Sequence, residues 1–299
     1  MKNTVLSIGN FDGLHLGHRK FLSEVVGTAK KLGLRSVVMT FDNHPAGVIK
    51  GAKYTTLLPI RQKIRLMHEL GVDEIPILHF DDEMARTSAE DFLRKDMVEA
   101  FLPAVIVMGH DSRFGSGRSG DLEFMKSRQS HYGFELQVVE PLLNGEQLVS
   151  SSLIRKTLAE GNLTVANKLL GAPYTIYGEV VHGAGLGNGL GFPTANLRLE
   201  EPLQLLPRSG VYHSRAWLEG QSFLGLTNIG TSPTLKHTGE TEVETHILDF
   251  DGQIYGQPLR VELLSFLREE KMFSSKETLL EAMKEDLSRA RMLAEKEGL

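Results

Sequence analysis

The stretch TVLSIGNFDGLHLGHRKFL, residues 4–22, decides how the first half of the chain is read. Val5–Ile8 is a short apolar run of strand type, and it ends in a turn that carries Gly9, Gly13 and Gly17. From Leu16 onward the pattern is helical. A strand that hands over to a helix through glycines presents unpaired N–H groups and the positive end of a helix dipole, an arrangement that attracts phosphate. His15 and His18 lie three residues apart, so on a starting helix they share a face. Two imidazoles aimed at a triphosphate can hydrogen-bond its α-phosphate as charge rearranges there. The alternative is that His-x-Gly-His is an accident of composition, and its place directly after the first strand argues against that.

Working outward, further strand-type runs follow at Ser36–Thr40, Glu74–Leu78, Val105–Met108 and Leu136–Val139. Helical segments alternate with them near Leu16–Leu32, Ile60–Leu70, Ala89–Phe101 and Leu122–Tyr132. Ser88 and the pair Gly120-Asp121 stand where two of these helices should start. The alternation predicts a mostly parallel sheet covered by helices. Helices are also expected at Leu153–Glu160 and Val165–Leu170, before Gly171-Ala172-Pro173 breaks the pattern.

From Tyr174 the texture changes. Short strand-type runs such as Tyr174–Val181, Gly210–Trp217, Glu242–Leu248 and Leu259–Phe266 are separated by Gly, Pro and Asn, which suggests an antiparallel sheet or barrel. Ser274-Ser275-Lys276-Glu277 has the spacing of a capping box. Leu279, Leu280, Met283, Leu287 and Ala290 then form one apolar stripe on a closing helix, expected to pack on the barrel. Two domains are expected, 1–172 and 173–299.

Composition narrows the field. The chain has 299 residues, enough for two cores. Its net charge of -5 offers no basic excess for nucleic acid. It has no cysteine, which rules out disulfides and cysteine chemistry and fits a reducing compartment. MKNTVLSIGNFDG is too short in apolar residues for a signal peptide, and no run is long enough to span a bilayer. A cytoplasmic protein is expected, a monomer or weak oligomer acting on small molecules without nucleic acid or membrane.

Four other stretches carry chemistry. In SSSLIRKTLAEGN, Ser150–Ser152 would cap a helix with Arg155 and Lys156 in its first turn, either a second phosphate site or a capped surface helix. GHDSRFGSGRSGD, 109–121, and TFDNHP, 40–45, both follow strands at the carboxyl edge of the expected sheet. The first reads as a binding loop, and the second as a binding loop or a plain proline turn. VVHGAGLGNGLGFPTANL, 180–197, contains no G-x-G-x-x-G, and no Gly-Lys pair occurs in the chain, so dinucleotide and Walker A readings both fail. It reads as a glycine-rich flap whose N–H groups can cradle phosphates, with Thr194 and Asn196 offering oxygens to the Mg²⁺ that accompanies ATP; a long hairpin loop is the alternative. In TEVETHILDF, Glu242, Glu244, His246 and Leu248 share one strand face, ordinarily a solvent face.

Together, GNFDGLHLGH, TFDNHP, MGHDSRFGSGRSGD and SSSLIR resemble the adenylyltransferase module of the bacterial bifunctional riboflavin kinase/FMN adenylyltransferase (FAD synthetase) family. The flap, GVY at 210–212, TNIGTSPT at 227–234, VETH, and FLREEKMFSS at 266–275 resemble that family's riboflavin kinase module. The resemblance implies an α/β fold: an N-terminal Rossmann-like nucleotidyltransferase and a C-terminal six-stranded antiparallel β-barrel with a terminal helix. It implies ATP binding by Gly9, Phe11, His15, His18, Ser150, Ser151, Ser152 and Arg155. Flavin would lie against the 109–118 loop, with Asn43, His44, Asp111, Arg113, Phe114 and Arg118. In the kinase it implies Gly183, Gly185, Gly187, Gly191, Pro193, Thr194 and Asn196 at the ATP phosphates, Thr194 and Asn196 at Mg²⁺, and Glu244 as base. Departures are Ser152 for the family's Thr, Asn43 for its Pro, and Asn188-Gly189 for an Arg-Thr pair in the flap.

The implied reactions are riboflavin plus ATP to FMN, then FMN plus ATP to FAD and pyrophosphate. A phosphate monoester has a second pKa of about 6 and is already anionic at neutral pH, so its adenylylation needs positioning rather than a base. The sequence also leaves open an enzyme with one activity only, or a non-catalytic flavin sensor. A class I aminoacyl-tRNA synthetase relative would need a KMSKS loop and a basic tRNA surface, and the chain has neither.

Overall fold

The computed structural model describes residues 2–183, 192–231 and 241–297. The chain divides into two compact units, Met1–Ser151 and Ser152–Leu299.

The first unit alternates strands and helices: β1 (Thr4–Ile8), α1 (Leu16–Leu32), β2 (Arg35–Phe41), α2 (Pro45–Lys50), α3 (Ile60–Glu69), β3 (Ile77–Leu78), α4 (Asp82–Arg86), α5 (Ala89–Asp91), β4 (Pro103–Gly109), α6 (Leu122–Tyr132), β5 (Glu135–Val139) and the small hairpin β6 (Leu143–Asn144) and β7 (Gln147–Leu148). The five principal strands pair in parallel in the order β3-β2-β1-β4-β5. β1 is central and buried on both faces, hence its unbroken run Thr4-Val5-Leu6-Ser7 without exposed positions. Leu6, Val37, Met39, Ile106 and Met108 pack from the sheet against Phe92, Leu93, Met97, Met125 and Phe134. The chain builds outward from β1 to β3 and then returns to β4 on β1's other side. The loops after β1 and β4 therefore flank the point where strand order reverses, the place where ligands bind in open α/β sheets.

Two elements differ from the expected ones. The strand expected at Glu74–Leu78 pairs fully only at Ile77–Leu78, because Pro76 has no N–H to give; Glu74 keeps a single bridge to Val37. The helix expected at Ala89–Phe101 starts at Ser88, whose hydroxyl accepts the Asp91 N–H at 3.0 Å. It then widens into a π-helix over Phe92–Glu99, whose longer repeat aligns Phe92 with Met97, both buried. Asp121 caps α6 as its place predicts, accepting the Phe124 N–H at 3.0 Å.

The second unit opens within α7 (Ser151–Ala159) and contains α8 (Leu163–Leu170), β8 (Tyr174–Val181), β9 (Thr194–Leu199), β10 (Gly210–Leu218), β11 (Gln221–Thr231), β12 (Thr241–Ile247), β13 (Pro258–Arg268) and α9 (Lys276–Glu297). Its six strands close into an antiparallel barrel, β10-β11-β12-β9-β8-β13. Ser214, Thr227 and Thr245, all buried, link hydroxyls across β10, β11 and β12 at 2.8 and 3.0 Å. α8 is tied to the barrel by Asn167, which donates to the Leu263 carbonyl at 2.9 Å and accepts the Tyr174 N–H at 2.7 Å. The helices expected before residue 172 thus fall with the barrel unit, ahead of the compositional break.

α9 packs Ala290 against Val211, Leu226, Leu248 and Leu267, with Leu287 and Leu293 beside it. Arg268 grips Asp286 at 2.7 Å near the same contact. The cap of α9 sits one residue later than expected. Ser275, not Ser274, accepts the Thr278 N–H at 3.3 Å, and the Thr278 hydroxyl accepts the Ser275 N–H at 3.3 Å in return. Leu248 also departs from the expected strand face: β12 ends at Ile247, and Leu248 turns into the α9 contact.

Candidate active sites

The loop after β1 is a strained turn held by its own side chains. Phe11 (φ 49°), Gly13 (φ 82°) and Leu14 (φ 41°) are all left-handed. Burial of the Phe11 and Leu14 side chains offsets this strain. Gly9 is needed because a Cβ there would lie 2.8 Å from the Phe11 ring. Asp12 is buried, and its carboxylate accepts the Thr56 hydroxyl at 2.9 Å and the Leu57 N–H at 2.8 Å. The Asp12 carbonyl accepts the Ser151 hydroxyl at 2.9 Å.

His15 is the N-cap of α1, and the two histidines stack rather than merely share a face. His15 Nδ1 accepts the His18 N–H at 3.2 Å, and the rings lie 3.6 Å apart at 17°. Phe11 meets His18 edge-on at 5.4 Å. Burial draws His15 down to about 4, against the pull of Asp12. Burial, then His15 and Lys63, holds His18 well below the ordinary imidazole range. Both rings are therefore neutral at pH 7. His15, accepting at Nδ1, carries its proton on Nε2.

Sequence reasoning did not single out Lys63 or Asp12. Lys63 is 4% exposed on α3, and its ammonium donates to the carbonyls of Asn10 and Phe41, each at 2.9 Å. Burial lowers it to about 8, with Asp12 and Asp42 opposing. One signal was available: Lys63 stands four residues before Met67, on the helix face that turns inward.

The residues expected at the flavin divide by role. Asn43 holds both backbone groups of Phe80, donating to its carbonyl at 2.7 Å and accepting its N–H at 2.9 Å. His44 caps α2, accepting the Ala46 N–H at 3.1 Å, and stacks on Tyr54 at 4.0 Å. Phe114 packs beneath its loop against Phe92 and Phe124, and exchanges backbone bonds with Gly120. Asp111, Arg113 and Arg118 are exposed on that loop. Of the serine motif, Ser150 and Ser151 belong to the first unit, whereas Ser152 and Arg155 follow on α7 in the second.

In the barrel, strand register sets Thr194 opposite His246, and Asn196 and Asn228 on either side of Glu244. His246 Nδ1 donates to the Pro193 carbonyl at 2.8 Å, and Phe192 meets the ring edge-on. Gly183 has no room for a Cβ, which would overlap the Asn196 amide. Asn228 donates to Glu270 at 3.0 Å, and Glu270 lies over Gly230, where a Cβ would overlap its carboxylate. Burial, then Glu242 and Glu270, pushes the Glu244 carboxyl up. Gly185, Gly187 and Gly191, with the Asn188-Gly189 pair, lie outside the described residues. Among the described residues no three His, Cys, Asp or Glu side chains form a metal-holding group.

A glycine-containing loop that ends in stacked histidines on a parallel sheet, joined in one chain to a closed barrel with its own half-buried carboxylate, fits a two-module nucleotide-dependent transferase. Residues 1–153 match the FAD synthetase family and residues 170–294 the riboflavin kinase family. The bifunctional riboflavin kinase/FMN adenylyltransferase of Escherichia coli K12 is 36% identical over 292 residues, covering 97% of this chain and 91% of that one. The protein of that description from Listeria monocytogenes is 34% identical over 288 residues, covering 95% and 90%. A crystal structure described as a macrolide-efflux protein from Streptococcus pneumoniae superposes with a TM-score of 0.86 at 30% identity, covering 97% of this chain and 95% of that one. No described helix of the present chain is long and apolar enough to cross a membrane. The chain belongs to the bifunctional riboflavin kinase/FMN adenylyltransferase family.

Proposed function

We propose that the first unit transfers AMP from ATP to FMN and that the barrel transfers the γ-phosphoryl group of ATP to riboflavin. The observation that carries the first assignment is the stacked His15–His18 pair at the N-terminus of α1. An FMN phosphate oxygen attacks the α-phosphorus, the bond from that phosphorus to the β-bridging oxygen breaks, and pyrophosphate leaves. The nucleophile is already ionised, so the protein's task is alignment and charge stabilisation. His15 donates Nε2–H to the α-phosphate and His18 stands beside it. Gly9 and Phe11 shape the turn, and Ser150, Ser151, Ser152 and Arg155 bind the departing phosphates. Asp111, Arg113 and Arg118 meet the flavin, while Asn43, His44 and Phe114 set the loops that receive it.

In the barrel, Glu244 takes the proton of riboflavin's terminal hydroxyl as that oxygen attacks the γ-phosphorus and ADP leaves. Thr194 and Asn196 are the residues that would hold Mg²⁺. A hydroxyl and an amide oxygen are hard neutral donors suited to an ion that keeps its phosphates and waters, and the absence of a Cβ at Gly183 leaves the Asn196 amide its space. When bound, the ion neutralises phosphate charge. The glycines of the flap, Gly183, Gly185, Gly187 and Gly191, with Pro193, surround the ATP phosphates. Functionally the modules divide at 172/173, and the protein works in the cytoplasm as a monomer or weak oligomer. Incubating the chain with riboflavin, ATP and Mg²⁺ and separating the products by chromatography tests both assignments: FMN must appear first and FAD after it.

A further inference from the structure

We infer that Lys63 is a positioning residue for FMN adenylylation, its ammonium holding the loop after β1 in fixed register with the loop after β2. The inference rests on the proposed reading of the first unit. Asn10 opens the histidine loop, and Phe41 is the last residue of β2, directly before Asp42-Asn43-His44. Lys63 donates to both carbonyls at 2.9 Å, and the Thr40 hydroxyl reaches the same Asn10 carbonyl at 3.2 Å. The base of α3 is itself latched to the loop, because Asp12 accepts from Thr56 and Leu57 just ahead of Ile60. Loop, helix and second loop thus form a closed circuit, with one cation at its centre.

Fold stability does not account for that cation. Burying an ammonium costs several kcal/mol, and a methionine at the same inward position of α3 would pack without the charge. What the cation adds is directional. It neutralises carbonyl ends at the sheet edge where phosphates must sit, and it carries positive charge within reach of His18. Its third N–H has no acceptor among the described residues. Near-attack geometry is sensitive to such supports, since a displacement of about 1 Å can cost on the order of 10²-fold in rate.

The test uses the full chain. Lys63→Met is expected to lower kcat for FAD formation from FMN by about 10²-fold, with the KM for ATP and for FMN moving less than about threefold. Riboflavin phosphorylation should keep its rate. Because the chain has no cysteine, Lys63→Cys offers a unique thiol, which can be alkylated in denaturant before refolding. An S-aminoethyl adduct, restoring an ammonium at lysine's length, is expected to restore kcat, whereas an S-propyl adduct of the same shape is not. Equal restoration by both adducts, wild-type kcat in Lys63→Met, or a Lys63→Met chain that does not fold would each overturn the inference. Wild-type protein that makes no FAD from FMN and ATP would instead remove the reading on which the inference rests, so that control is measured first.

Discussion

His15 accepts the backbone N–H of His18 on Nδ1 at 3.2 Å, and the two rings stack 3.6 Å apart. One hydrogen bond thereby caps α1, sets the His15 tautomer and fixes the spacing of the two imidazoles. Two imidazolium ions at that distance would repel strongly, and burial keeps both rings neutral at pH 7.

Replacing both rings, His15→Ala with His18→Ala, should abolish FAD formation from FMN while riboflavin phosphorylation continues. In the proposed assignment the rings act on ATP in FMN adenylylation alone. Parallel assays with FMN or riboflavin as the acceptor check this, and equal loss of both activities would mean a single shared site.

The neutral pair also sets how the first unit responds to acid. An unfolded histidine titrates near 6.5, whereas folded His15 titrates near 4. Between those values the unfolded chain binds more protons, so stability is full above 6.5 and falls as pH drops toward 4. His15 alone contributes about 3 kcal/mol to that loss by linkage. Denaturant unfolding of the first unit should therefore weaken across this window, and His15→Gln should flatten the slope.

In the barrel, Glu244→Gln keeps shape and hydrogen-bonding capacity but removes the base. Kinase turnover should fall by about 10²–10⁴-fold while riboflavin binding and FAD formation from supplied FMN persist. Like charge from Glu242 helps to raise the Glu244 carboxyl, so Glu242→Gln should let it ionise at lower pH. The acid limb of the kinase pH–rate profile is then expected to move toward acid. An unmoved limb would assign that titration to another group.

A fragment of residues 173–299 should phosphorylate riboflavin, yet less robustly than a fragment of residues 152–299. The longer one keeps Asn167's bonds to Leu263 and Tyr174, the bond from Arg208 N–H to the Leu158 carbonyl, and the buried side chains of α8. Each buried leucine contributes about 1.5–3 kcal/mol. Thermal unfolding of the two fragments compares them directly, and equal midpoints would show that α7 and α8 add nothing to the barrel.

Much of this architecture was legible because its signals are local. The apolar run Val5–Ile8, the glycines after it and the caps Ser88 and Asp121 each speak for their own neighbourhood. Glu242, Glu244 and His246 alternate as a strand requires, with Val243, Thr245 and Ile247 buried opposite. Less visible were features set by distant partners. β11 contains Gly225 and Gly230, which weaken a strand pattern; a Cβ at Gly225 would approach the Ser214 hydroxyl, and Gly230 makes room for Glu270. Lys63 looks like any solvated helix lysine until the fold brings Asn10 and Phe41 to it. Asp12 likewise looks like a turn residue until Leu57 and Ser151 arrive.

The two sheets finish differently at their margins. The barrel leaves no strand unpaired, since β10 meets β11 on one side and β13 on the other. The parallel sheet stays open, but its outer strand on one side is only Ile77–Leu78, with Pro76 ahead of it. A foreign strand needs a run of free backbone groups to template on, and neither a closed barrel nor a two-residue margin supplies one. Edge-to-edge pairing is thereby disfavoured at the barrel and at the β3 margin, which leaves β5, Glu135–Val139, as the longer margin of the parallel sheet.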